Sequence, residues 1–245
     1  MGLLLLTNQS TQAADLVVFS AAAMKGAFEQ VPAAFYALTG DHVGFIFGTA
    51  GQIRDRVISG EHVDLVIVPP APMADLGERN FVRKESSAAL AVVRLGAAVR
   101  SGAALPSIAN ERAFTQALLE APSIGMADPS TGATSGIYLA KLIDRLGISQ
   151  QIKTRITYYP EGQAAMEAVG RGEIQLGLGQ ISEIMPVHSV VLIGPIPKDL
   201  QLRTTYVGAI ASNTDQPETV QRLLTYLLGP VVRKALSENG FDSGS

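Results

Sequence analysis

"HVGFIFGTAGQIRDRVISGEHVDLVIVPP", residues 42–70, carries the alternation that decides the fold. Val43 to Phe47 is a short β-branched and aromatic run, as a strand requires. It enters Gly48-Thr49-Ala50-Gly51, a turn stripped of bulk that keeps one hydroxyl. Gln52 to Ile58 then reads as a helix that ends at Gly60. Val63 to Val68 is a near-continuous apolar run, the pattern of a strand covered on both faces, and Pro69-Pro70 ends it. Upstream, Leu16 to Ser20 is another strand. It leads into a segment where Met24, Phe28, Val31, Phe35 and Leu38 recur at helical spacing until Gly40. The first 70 residues therefore read strand, helix, strand, helix, strand, which is the order of a parallel α/β sheet.

The alternation continues downstream. Residues 89–100 (ALAVVRLGAAVR) form a long β-rich segment. Helices are expected at Met73 to Gly77, Glu111 to Leu119, Ile137 to Leu146, Gly162 to Val169, Glu218 to Leu228 and Val231 to Glu238. Strands are expected at Ser123 to Met126, Ile156 to Tyr159, Gln175 to Gly179, Val190 to Ile193 and Arg203 to Ala211. With 245 residues, 47% apolar and 17% charged, the chain can build one large domain or two lobes with cores of their own. A formal net charge of -3 provides no global field for nucleic acid or an anionic membrane, so neither is expected as a partner. Cysteine is absent, and His42, His62 and His188 have no ligand spacing. No metal site and no cofactor are expected. Leu3 to Leu6 followed by Gln12-Ala13-Ala14 resembles the end of a secretory signal, truncated at its start.

Three small-residue turns follow strands and open helices: Ser20-Ala21-Ala22-Ala23, Gly48-Thr49-Ala50-Gly51 and Ser130 to Gly136. Ligands of open α/β sheets bind beyond the carboxyl ends of the strands. Helix starts there expose free N–H groups, small residues let an anion approach them, and hydroxyls add donors. Ser, Thr and Gly are also ordinary helix caps, and glycine also serves turns that need its conformational freedom. Lys25 stands in the first turn of the first helix, where a cation is disfavoured by the helix dipole unless a ligand faces it. Arg54 and Arg56 are expected in solvent.

Residues 17–40 (VVFSAAAMKGAFEQVPAAFYALTG), 47–69 (FGTAGQIRDRVISGEHVDLVIVP), 128–147 (DPSTGATSGIYLAKLIDRLG) and 172–184 (GEIQLGLGQISEI) together resemble the periplasmic molybdate-binding protein family. The resemblance covers nearly the whole chain from Ala14 onward. It implies a monomeric solute-binding subunit that hands a small anion to the membrane subunits of an ABC importer. It also implies a two-lobed type II periplasmic-binding-protein fold with an interlobe cleft. Lobe one would be 14–92 plus 205–245, and lobe two 93–204, joined by a hinge of crossing strands.

The ligand set implied by the family departs here. Ala23 and Ala50 stand where the family uses serines, Gln180 where it uses a tyrosine, and Pro69 where it uses alanine. Ser135 and the backbone near Gly162 match its later donors, while Thr49, Thr131 and Thr134 offer compensating hydroxyls. With Ser20, Ala21 and Lys25 these residues, Thr131 apart, form the candidate site. Fewer hydroxyls, a lysine and the amide of Gln180 suit a carboxylate better than molybdate. The same motifs are shared with a subgroup related to aconitate isomerase, which implies proton transfer by a base. Lys25, Glu161 and Glu183 are the candidates, but no pairing recognisable in sequence selects one. Glu183 is also a candidate helix-capping or lobe-closing residue.

Overall fold

The structure, a computed structural model, describes residues 13–242. The apolar run and Gln12 of the signal-like segment lie outside them. In chain order the strands and α-helices are β1 (Asp15–Ala21), α1 (Lys25–Phe28), α2 (Val31–Thr39), β2 (His42–Gly48), α3 (Ala50–Ile58), β3 (Leu65–Val68), α4 (Pro70–Glu78), β4 (Ala88–Arg100), α5 (Glu111–Glu120), β5 (Ile124–Ala127), α6 (Thr134–Arg145), α7 (Ser149–Ile152), β6 (Ile156–Tyr159), α8 (Gly162–Arg171), β7 (Leu176–Gln180), α9 (Ile181–Ile184), β8 (Val190–Pro195), β9 (Arg203–Ile210), α10 (Pro217–Leu227), α11 (Pro230–Glu238) and β10 (Phe241–Asp242).

The strands run in the order β2-β1-β3-β9-β4-β7-β5-β6, with β8 and β10 also paired to β4. β1 is parallel to β2 and β3, as the alternation requires, and β5 is parallel to β6 and β7. β4 joins the two sets. Its first half, to Arg94, pairs antiparallel with β9; its second half, from Leu95, pairs with β7 and β8. The result is two α/β lobes connected through crossing strands.

Side chains alternate across each sheet, so each strand feeds two cores. Val18, Leu65 and Ile67 face α1, α2, α10 and α11, where Phe28, Phe35 and Leu223 lie. Phe19, Val66 and Val68 face the opposite way, against Ile53, Val57, Met73 and Leu76 of α3 and α4. That double coverage is why β3 is apolar at every position. In the other lobe Leu95, Ala97 and Val99 meet Phe114, Leu118, Leu139 and Leu142, while Ala98 turns to Ala165, Met166 and Ile184.

The single first helix expected from sequence is broken. A 3-10 turn over Ala22–Met24 precedes α1, and α2 restarts at Val31 with Pro32 in its first turn. Met24, Phe28, Val31 and Phe35 are buried, but Leu38 is 69% exposed. The stripe runs on through the break, and only its last position, at the C-terminal end of α2, leaves the core.

Candidate functional site

Five strand ends converge where the lobes meet. One cavity is lined by Ala21–Ala23 after β1, Gly48–Ala50 after β2, and Ala127 and Ala133–Ser135 around the β5–α6 turn. Glu161 and Gly162 before α8, Gln180 and Glu183 at the β7–α9 junction, and Tyr206 on β9 complete it. Its volume is ≈ 30 Å³, room for a water molecule or two. Among the described residues the lining contains no Lys, Arg or His.

The α3 start is closed by its own capping box. The Thr49 hydroxyl accepts from the Gln52 amide at 3.2 Å, and Gln52 Oε1 accepts from the Thr49 amide at 2.9 Å. The Thr49 hydroxyl also donates across the cleft to the Thr131 carbonyl. Beside it the Gly51 amide donates to the Gly132 carbonyl at 3.2 Å. A Cβ on Gly51 would lie 2.8 Å from Gly132 Cα, so the two lips meet backbone to backbone. The α6 start is the more open: its N-cap, Ala133, has no side chain to bond the first-turn amides of Thr134, Ser135 and Gly136. Partial positive charge from the ends of α3 and α6, one from each lobe, therefore meets in one cavity.

Three polar side chains form the floor. Glu183, 7% exposed, accepts from the Gly162 amide at 3.0 Å and from the Gln180 amide at 3.4 Å. Burial pushes its carboxyl up to about 7; the two amides oppose that rise, and the charge of Glu161 adds to it. Tyr206 donates its hydroxyl to Gln180 Oε1 at 2.6 Å. Burial, and then the charge of Glu183, raises the phenol above its ordinary range, so it keeps its proton. Gln180 is 2% exposed, and its Nε2 has no hydrogen-bond partner among the described residues.

Of the candidates from sequence, Ala21, Ala23, Thr49, Ala50, Thr134, Ser135, Gly162 and Gln180 line this one cavity. Ser20, Lys25 and Pro69 are not in the lining. Ser20 is fully buried within β1 and donates to the Ala21 carbonyl at 3.3 Å. Pro69 is buried at the start of α4. Lys25 is exposed, because the 3-10 turn directs Ala23 and Met24 inward and leaves position 25 in solvent. Arg54 pairs with Asp55 and Arg56 with Glu61 on the surface. Tyr206 had no signal beyond its place in a β-rich run. Ala22, Ala127 and Ala133 carry no chemical handle that a sequence could reveal.

The sequence profile described as bacterial extracellular solute-binding protein matches residues 16–242. An aconitate isomerase from Pseudomonas sp is 30% identical over 250 residues, covering 98% of this chain and 94% of that protein. Among solved structures, the periplasmic molybdate-binding protein of Azotobacter vinelandii superposes with a TM-score of 0.79 at 17% identity, over 94% of this chain and all of the other. The sulfate-binding protein of Mycobacterium tuberculosis gives 0.77 at 16% identity, over 93% of this chain and 86% of the other.

Proposed function

The chain belongs to the bacterial extracellular solute-binding protein family and has the two-lobed type II periplasmic-binding-protein fold, and from that premise we propose that it captures a small polycarboxylate between its lobes in the periplasm. One observation carries the reading: helix starts from both lobes, α3 and α6, face a single cavity whose donors are all neutral. Ala23 and Ala50 leave the tight hydroxyl cradle of a tetrahedral oxyanion unfilled. Thr134, Ser135 and Gln180 supply spaced donors that a longer anion can span. Glu183 does not oppose this, since with its proton on it is uncharged and can donate. In this reading the lobes are 14–92 plus 205–245 and 93–204; they part about β4 and β9 to admit ligand, and a monomer delivers it to ABC importer membrane subunits.

Calorimetry with molybdate, tungstate, sulfate, phosphate, citrate, cis-aconitate and trans-aconitate tests the reading. Tight binding of a polycarboxylate, with the inorganic oxyanions weak, is expected; tight molybdate with no carboxylate binding overturns it.

A second reading, isomerisation of the bound polycarboxylate, is favoured by Glu183. A buried carboxyl with its pKa near 7 in the ligand cavity is suited to take a proton from an allylic carbon and return it at the far end of the shifted double bond. The aconitate isomerase relative points to the same chemistry. Incubating cis-aconitate with the protein in D2O and following it by NMR decides between them. Conversion with deuterium uptake, lost in Glu183→Gln, supports catalysis; unchanged ligand supports capture alone.

A further inference from the structure

Tyr206 donates to Gln180 Oε1 at 2.6 Å, and this fixes which end of the amide remains for a ligand. The phenol has one hydrogen, and among the described residues Gln180 receives it. With Oε1 engaged, the free branch is Nε2, which carries donors only. That group is buried and partnerless, and Gln180 lines the cavity. A buried N–H without an acceptor is destabilising, so a site that keeps one gains when an acceptor arrives.

We infer that Tyr206 is a positioning residue that locks Gln180 with its N–H donors toward the ligand, so that Gln180 meets a hydrogen-bond acceptor of the ligand, in this reading an ionised carboxylate. This deepens the capture reading and rests on it. Tyr206 lies on β9, which pairs with β3 and the first half of β4, whereas Gln180 ends β7 in the second lobe. The lock therefore bridges the two sheets. Burial keeps the phenol protonated, so the lock holds across the physiological range.

A double-mutant cycle with trans-aconitate as the probe tests this. Tyr206→Phe removes the phenol's hydrogen bond to Oε1, and Gln180→Met removes the donor while keeping length. Tyr206→Phe is expected to weaken binding about tenfold in the wild-type background. In the Gln180→Met background the same change should alter binding less than about twofold, because no amide is left to position. Equal losses in both backgrounds would mean that Tyr206 acts structurally, and the inference falls while the capture reading stands. If the wild type binds neither trans-aconitate, cis-aconitate nor citrate, the capture reading itself fails and takes the inference with it. A measurement on the unaltered protein covers the case of a variant that does not fold. The Gln180 side-chain amide protons should shift and become protected from exchange when trans-aconitate is added. Unmoved signals at ligand saturation overturn the inference.

Discussion

Gly162 is a glycine because Glu183 occupies the space of its side chain. A Cβ there would lie 2.2 Å and 2.7 Å from the two carboxylate oxygens. Gly162→Ala therefore displaces Glu183 from the Gly162 amide, with an expected stability loss of about 1–3 kcal/mol by overpacking. Calorimetry should also show weakened trans-aconitate binding; a variant with wild-type melting and affinity would mean that Glu183 can move at no cost. The raised carboxyl has a second consequence. Its folded pKa, about 7, exceeds the ordinary 4.5, so the folded state holds a proton that the unfolded state releases. This contribution is fully present below pH 4.5 and is lost as pH rises through 7, a difference of roughly 3 kcal/mol. Urea unfolding between pH 5 and 8 should show that decline, and Glu183→Gln should flatten it. An equal slope in both proteins would place the titration elsewhere. Glu183 was visible in sequence as a carboxylate near a turn, but its burial against the Gly162 amide, 21 residues away, was not. Lys25 shows the converse, since its charge was legible and its direction was not.

At the scale of elements, the turn at Gly48–Gly51 was legible as a small-residue junction, while the reason for its smallness came from the facing lobe. The nearest atoms to a Cβ on Gly51 are Gly132 Cα, the Thr131 carbonyl oxygen and the Gly132 amide nitrogen, all across the cleft. The first lobe has no stake in that position, but the contact between the lips does. Gly51→Val should keep the melting temperature within a few degrees, as for a surface substitution of about 0.5 kcal/mol. The same variant should enlarge the radius of gyration in small-angle scattering and weaken trans-aconitate binding severalfold. An unchanged radius would mean that the lips can slide past the added bulk. Periodicity found most elements within a few residues because their stripes feed cores that the sheets impose. Prolines at the first positions of α4, α10 and α11 lie inside the helices, where the missing N–H costs nothing. The break between α1 and α2 stayed hidden because the apolar spacing runs on through it to Phe35 and fails only at Leu38.

Across the whole molecule, the proposed capture requires relative movement of the lobes. A cavity of ≈ 30 Å³ cannot admit a polycarboxylate while Thr49 and Gly51 stay joined to Thr131 and Gly132. In the proposed reading the lobes part about β4 and β9 while each core stays packed. The two cores share few side chains, so parting exposes little apolar area compared with unfolding. Hydrogen exchange separates the two events. The Gly51 amide, bonded to the Gly132 carbonyl at 3.2 Å, is released when the lips part. The amides of β3, hydrogen-bonded between β1 and β9 with Val66 and Ile67 fully buried, are released only when the first lobe unfolds. Gly51 should therefore exchange faster than Val66, and its rate should depend only weakly on urea, because the slope follows the surface exposed. Exchange at Val66 should carry the full slope of global unfolding. Equal protection and equal slope at the two amides would mean that the lobes separate only when the protein unfolds, and a ligand would then need another way in.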